Sequence, residues 1–217
     1  MNFPALLSPI KIGSMEVKNR FVVPPMGSNY ANPDGSVSQQ LIDYHVARAK
    51  GGFGLIIVEV TAVEPAGKAI PFEPGLWSDE FIPGWKKLVD EVHKYGAKIA
   101  VQLHHAGRQT SKDIIGQQPV APSAVPCPVM KEIPRELTTQ EVYDLIGNFR
   151  DAAVRARDAG FDAVEIHGAH GYLIAQFMSA YSNKRIDEFG GNFISRMKFP
   201  LEIIRSIRRE VGNGYPL

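Results

Sequence analysis

The sequence predicts an α/β protein, the first four strand–helix units of a (β/α)8 TIM barrel preceded by a β-hairpin. Three observations carry this. Four short apolar runs, Phe21-Val22-Val23, Phe53 to Val60, Lys98 to Leu103 and Phe161 to Ile166, alternate with longer stretches whose apolar positions recur at helical spacing. Each run stays apolar until its carboxyl end, where polar groups gather, as in strands buried on both faces. A complete barrel of this kind uses roughly 250 residues, whereas these four units occupy 217. Residues 1–217 therefore read as the N-terminal part of one barrel domain, with the remainder expected outside this chain.

The elements follow in order. Ile10-Lys11-Ile12-Gly13-Ser14-Met15-Glu16-Val17 alternates around Gly13-Ser14 and reads as a hairpin, placed to close the barrel floor. Helices are expected over Ser38 to Lys50, Pro83 to Tyr95 and Thr138 to Ala159. In the third, Val142, Leu145, Ile146, Phe149, Ala152, Ala153 and Ala156 form one stripe, and Thr138 with Glu141 makes a capping box. These stripes are core. Gly96 and Gly160 each end a helix before a strand. A last helix is expected from Phe193 to Val211, after which Tyr215-Pro216-Leu217 begins a fifth strand.

Bulk composition narrows the partners. With 44% hydrophobic residues the chain can bury a sizeable core. A net charge of +1 from interspersed charges gives no basic face for nucleic acid or an anionic membrane, so a small molecule is the expected partner. Met1 to Leu7 lacks the charged start of a secretory signal, and no apolar run reaches the ~20 residues of a membrane span; a cytoplasmic protein is expected. Cys127, the single cysteine, excludes an internal disulfide or a cysteine-ligated cluster within these residues. It lies in the proline-spaced run Pro119 to Pro134, a loop, and is not expected as a catalytic thiol.

The chemistry concentrates at the strand ends. These are Pro24-Pro25-Met26-Gly27, Glu59-Val60-Thr61, Gln102-Leu103-His104-His105 and His167-Gly168-Ala169-His170-Gly171-Tyr172, which a barrel would bring together at its catalytic rim. Two imidazoles and a phenol within six residues, with glycines that clear space, point to a reaction centre. A metal site is not expected, because no HExxH helix is present and adjacent His104 and His105 on an extended segment face opposite ways. None of the four strands ends in lysine, which argues against a Schiff base. Gly51, Gly52 and Gly54 do not satisfy GxGxxG, and no phosphate loop is visible.

At these residues the chain resembles the old yellow enzyme family. The resemblance rests on Asn19-Arg20-Phe21-Val22-Val23-Pro24-Pro25-Met26, Gln102-Leu103-His104-His105-Ala106-Gly107-Arg108 and Ala121-Pro122-Ser123. Above all it rests on the run Glu165 to Arg196, EIHGAHGYLIAQFMSAYSNKRIDEFGGNFISR. It implies a barrel of the FMN-linked oxidoreductase type that takes hydride from NADH or NADPH and passes it to an activated alkene. By that resemblance Pro25, Met26, Gly27 and Val60 border the isoalloxazine, Gln102 bonds its pyrimidine edge, and Asn183, Arg185, Asp187, Gly190, Gly191 and Arg196 form a supporting loop. Gly27 departs from the Cys, Thr or His of many relatives, which leaves Ser28 or backbone N–H to act there. The arginine and phosphate loops that relatives place from the fifth strand onward lie outside this chain.

The residues match that chemistry. Hydride addition to an α,β-unsaturated carbonyl leaves negative charge on oxygen, and donors fixed there stabilise the transition state. His167 and His170, three apart on a tight turn, are the expected donors and substrate-binding groups. Tyr172 is the expected acid that protonates the α-carbon. Gln102 offers both donor and acceptor. The substrate expected is an enone or enoate and the assembly a homo-oligomer. Two alternatives stand beside this reading. One is the N-terminal part of a 2,4-dienoyl-CoA reductase or enoate reductase with added FAD and a 4Fe-4S cluster, toward which VPPMGSNYANPDGS and PSAVPCP lean. The other is a non-catalytic half-barrel that self-associates to cover its open edges.

Overall fold

The computed structural model describes residues 3–217. After a short helix α1 (Pro4–Leu7), strands β1 (Ile10–Ile12) and β2 (Met15–Val17) pair antiparallel around Gly13, whose φ of 58° suits glycine. The strand–helix alternation then runs β3 (Val22–Val23), α2 (Gln39–Lys50), β4 (Leu55–Ala62), α3 (Ile82–His93) and β5 (Lys98–His104). An excursion follows with α4 (Lys112–Ile115), β6 (Val120–Ala121) and β7 (Arg135–Glu136), before α5 (Thr139–Asp158) and β8 (Ala163–Ile166) resume the rhythm. Helices α6 (Leu173–Met178), α7 (Phe193–Arg196) and α8 (Lys198–Val211) complete it.

Strands β3, β4, β5 and β8 form one parallel sheet in that spatial order. The order equals the sequence order, as in a barrel wall, and the structure is the partial barrel that the sequence predicts. Side chains alternate across the sheet. Ile56, Val58, Ile99, Val101, Leu103 and Val164 face outward into a core closed by α2, α3, α5 and α8, where Trp85, Phe149 and Phe199 are fully buried. Leu55, Ala100 and Ala163 face inward at the strand starts and pack under Met15 and Val17. The hairpin is thus the floor. The inner face stays open on its far side, leaving an apolar hollow of about 490 Å³ lined by Ile57, Ile166, Ile204 and Leu217 among others. Beside β8, Val164 N–H donates to the carbonyl of Pro216, so the chain's last residues run alongside that strand.

The caps agree with the sequence reading. Ser38 caps α2 through Leu41 N–H, and Thr138 and Glu141 form the reciprocal box on α5. The expected helix from Phe193 to Val211 is two helices. Pro200 has no N–H to give the carbonyl of Arg196, so the ladder breaks at Met197. The parallel pair of β6 and β7 was not foreseen, since two-residue strands carry no readable period.

Arg185 anchors the loop after α6. Its guanidinium donates to the carbonyls of Pro122 (3.1 Å) and Leu137 (2.5 Å) and to both oxygens of Asp187, which also accepts from Thr139. Asn183 Nδ2 holds the carbonyls of Phe177 and Phe189, and Arg196 holds those of Met178 and Gly191. Gly190 is required there, because a Cβ would lie 2.2 Å from the carbonyl oxygen of Arg185.

Candidate active site at the strand ends

The register brings the predicted residues to one rim. Val60 lies opposite Gln102, and Gln102 opposite Glu165, so the inward side chains of three strands stand level. Glu59 is an extra residue in β4, since Val58 pairs with Val101 and Val60 with Gln102 across a bulge. The bulge buries its carboxyl, which accepts Ser28 N–H at 3.0 Å. Burial first, and the charge of Glu73 as well, push the Glu59 carboxyl up against the opposing pull of Ser28. Its second oxygen and the Ser28 hydroxyl are buried without a partner among the described residues.

Pro25, Met26 and Gly27 form a ledge after β3, with Met26 49% exposed and only Ile70 near the place a Gly27 Cβ would take. Gln102 is buried and donates from Nε2 to Glu165 at 2.6 Å. Its carbonyl oxygen accepts nothing among the described residues.

His167, His170 and Tyr172 come together where β8 ends. His170 adopts φ 56°, unusual for a residue with a side chain, and Gly171 follows with φ 76°; this turn swings the His170 ring over His167. The two rings lie 5.0 Å apart, nearly perpendicular. Ala169 N–H donates to Nδ1 of His167 at 3.3 Å, which assigns the neutral ring's proton to Nε2. That Nε2 faces Nδ1 of His170 at 3.3 Å, so the N–H of His170 is on its own Nε2. The structure thus brings both imidazoles together as expected, but they meet each other first. Burial, with His104 and His170 beside it, holds His167 down at about 4, so it is neutral near pH 7. Burial pushes the Tyr172 phenol up, with Glu73 adding to it and Gln109 partly opposing. The Tyr172 ring sits 5.0 Å from that of His167.

Two groups of this rim were not among the predicted site residues. His104, the next inward residue after Gln102, has its ring 4.3 Å from Tyr172 and 5.5 Å from His167, while His105 faces outward to Glu64 at 2.8 Å. The opposite facing of the two histidines was readable; the buried partner of His104, Glu73 at 2.8 Å, was not. Gln176 pins the turn, donating to the carbonyls of Ala106 and Gly171 and accepting Arg108 N–H. Gly107, with φ 61°, leaves room for it, since a Cβ would lie 2.2 Å from the Gln176 amide oxygen. Gln176 lies in the first turn of α6, and no local pattern in the sequence marks it.

The buried histidines set a pH dependence. Burial, with Arg48 nearby, holds His45 down at about 3. A histidine whose folded pKa lies below the ordinary ~6.5 contributes stability that is full above that value and is lost as pH falls toward the folded one. Asp187 and Glu141, both held at about 2, begin to lose their contribution only below about pH 5. The melting temperature is therefore expected to fall between pH 6.5 and 4, and less steeply in His45→Leu. Thermal unfolding followed across that range checks it; an unchanged slope in the variant would contradict the assignment to His45.

Among the described residues no three or more His, Cys, Asp or Glu side chains are arranged to hold a metal ion, and no helix is long and apolar enough to cross a membrane. The NADH:flavin oxidoreductase / NADH oxidase family model matches residues 5–215. An NADH oxidase of Thermoanaerobacter brockii is 55% identical over 218 residues, covering 100% of this chain and 34% of its own length. A 2-naphthoyl-CoA reductase, solved in complex with 2-naphthoyl-CoA, superposes with a TM-score of 0.95 at 35% identity, over 99% of this chain and 34% of its own. An old yellow enzyme homologue from Zymomonas mobilis gives 0.92 at 33% identity, over 98% of this chain and 62% of its own. The chain thus spans about a third of the first two and under two thirds of the third.

Proposed function

Because the chain belongs to the NADH:flavin oxidoreductase / NADH oxidase family, we propose that it is the N-terminal part, residues 1–217, of an FMN-binding barrel domain in a cytoplasmic oxidoreductase that reduces the C=C bond of enones or enoates. The observation that carries this is the convergence of two imidazoles, that of His167 neutral, and a phenol beside an open ledge at the strand ends.

The residues present fit the ring system of FMN. Pro25, Met26 and Gly27 offer an open surface with little side-chain obstruction, Val60 stands level with Gln102, and Gln102 keeps a carbonyl and a second N–H for a heterocycle edge. The buried unpartnered Ser28 hydroxyl and Glu59 oxygen lie under the same ledge. Bound there, FMN would accept hydride from NADH or NADPH and deliver it to the alkene β-carbon. A substrate carbonyl oxygen entering between His167 and His170 replaces their mutual bond, after which His167 Nε2–H turns to that oxygen and His170 adds its own N–H. His167 is buried, and a donor fixed out of bulk water stabilises the charge that develops on that oxygen more than it would in water. Tyr172 gives its hydroxyl proton to the α-carbon. Its raised pKa keeps that proton in place until a strongly basic carbon appears.

The test uses the full-length protein without oxygen. NADH or NADPH is expected to bleach its flavin absorbance, and 2-cyclohexenone or cinnamate to restore it. If only dioxygen restores the colour, the alkene part of the proposal fails; if the protein neither carries nor takes up FMN, the flavin part fails. A second reading, a longer enzyme with FAD and a 4Fe-4S cluster, draws on the two relatives about three times this chain's length. Iron and FAD analysis of the full-length protein decides it.

A further inference from the structure

On the inner face of the barrel wall one carboxylate stands that no role proposed above uses. Glu165 of β8 lines the open hollow together with Ile57, Ala100, Ala163 and Ile166. Its register partner is Gln102 of β5, so the two side chains leave neighbouring strands on the same face. Gln102 Nε2 donates to Glu165 Oε1 at 2.6 Å. Neither side chain makes another hydrogen bond or ion pair among the described residues. Gln102 is 7% exposed, so its amide has little bulk water to turn to.

A primary amide has two unlike ends of nearly the same shape, a carbonyl that accepts and an NH2 that donates, and only a partner tells them apart. A carboxylate is such a partner, because it accepts hydrogen bonds and gives none. Turned over, Gln102 would set its carbonyl oxygen against Glu165, lose the bond and leave two acceptors facing each other in a buried place. It would then offer a ligand donors only. The orientation that Glu165 permits spends one N–H on the carboxylate and leaves the carbonyl and the second N–H. The pyrimidine edge of FMN carries an N–H flanked by carbonyls, so it asks for an acceptor beside a donor. We propose that Glu165 is a positioning residue, which holds the Gln102 amide in the one orientation that presents both to that edge. The inference rests on the reading of Gln102 as a flavin contact.

The test strips flavin from the full-length protein and titrates the apoprotein with FMN and with its N3-methyl derivative, following the quenching of flavin fluorescence. Glu165→Leu, which keeps the bulk and removes the partner, is expected to weaken FMN binding about 10-fold, the scale of losing an outer partner of a ligating group. The methylated flavin lacks the N–H that the Gln102 carbonyl would accept. Its affinity is expected to fall much less, so the preference for FMN over it narrows. Glu165→Gln regains an acceptor but no longer distinguishes the two amide orientations, and is expected to fall between. In a Gln102→Ala background, Glu165→Leu is expected to change FMN binding no further. Wild-type FMN affinity in Glu165→Leu would overturn the inference. So would an equal loss for both flavins, which would mark a packing role, or an undiminished loss in the Gln102→Ala background. If the wild-type apoprotein takes up no FMN, the flavin reading falls and this inference with it; if it binds FMN and Gln102→Ala binds it as tightly, only the inference falls. Should circular dichroism show that Glu165→Leu does not fold, Glu165→Gln carries the same comparison.

Discussion

Tyr172→Phe in the full-length enzyme slows enone reduction by roughly 10²-fold or more, the usual scale for a general acid, while its melting temperature changes little. The substitution keeps the ring that packs against His104 and His167 and removes only the hydroxyl. The loss depends on the substrate. A nitroalkene accepts hydride to give a stabilised anion that water can protonate later, so its rate of flavin reoxidation survives. Stopped-flow measurement of both substrates checks this, and equal wild-type rates on both would return Tyr172 to a packing role.

His167→Ala and His170→Ala each lower the alkene half-reaction on the order of 10²-fold, as removal of one oxyanion donor does elsewhere, and leave flavin reduction by NAD(P)H nearly intact. The two are not expected to add. Ala169 N–H and the His170 ring together assign the His167 proton, so removing either imidazole also alters the hydrogen-bond state of the other. The double variant is therefore expected to lose less than the product of the single losses. Rapid-mixing traces of each half-reaction decide the matter; reoxidation at the wild-type rate in both single variants would make the histidines structural.

Much of this arrangement was readable beforehand. The strands, the floor hairpin and the three long helices follow from periodicity, and the rim from polar tips on apolar runs, because a buried strand exposes its chemistry only where it ends. What escaped has a physical cause in each case. Glu73 lies in an irregular segment 31 residues from His104, and no local pattern encodes a long-range partner. Its trace is a lone carboxylate in the otherwise uncharged run Ala69 to Trp77. The bulge at Glu59 is invisible because a strand apolar on both faces shows no alternation for an extra residue to interrupt. The break at Met197 could have been inferred from Pro200, whose effect was masked by an amphipathic stripe running through it.

The Arg185 anchor has a kinetic meaning for the rim. One guanidinium holds Pro122 and Leu137 of the excursion after β5, and through Asp187 reaches Thr139 at the start of α5. Neither the excursion nor the loop after α6 can loosen alone without stranding a buried cation, a costly event. The two therefore open as one cooperative unit, and the local opening energy of this wall approaches that of the sheet it crowns.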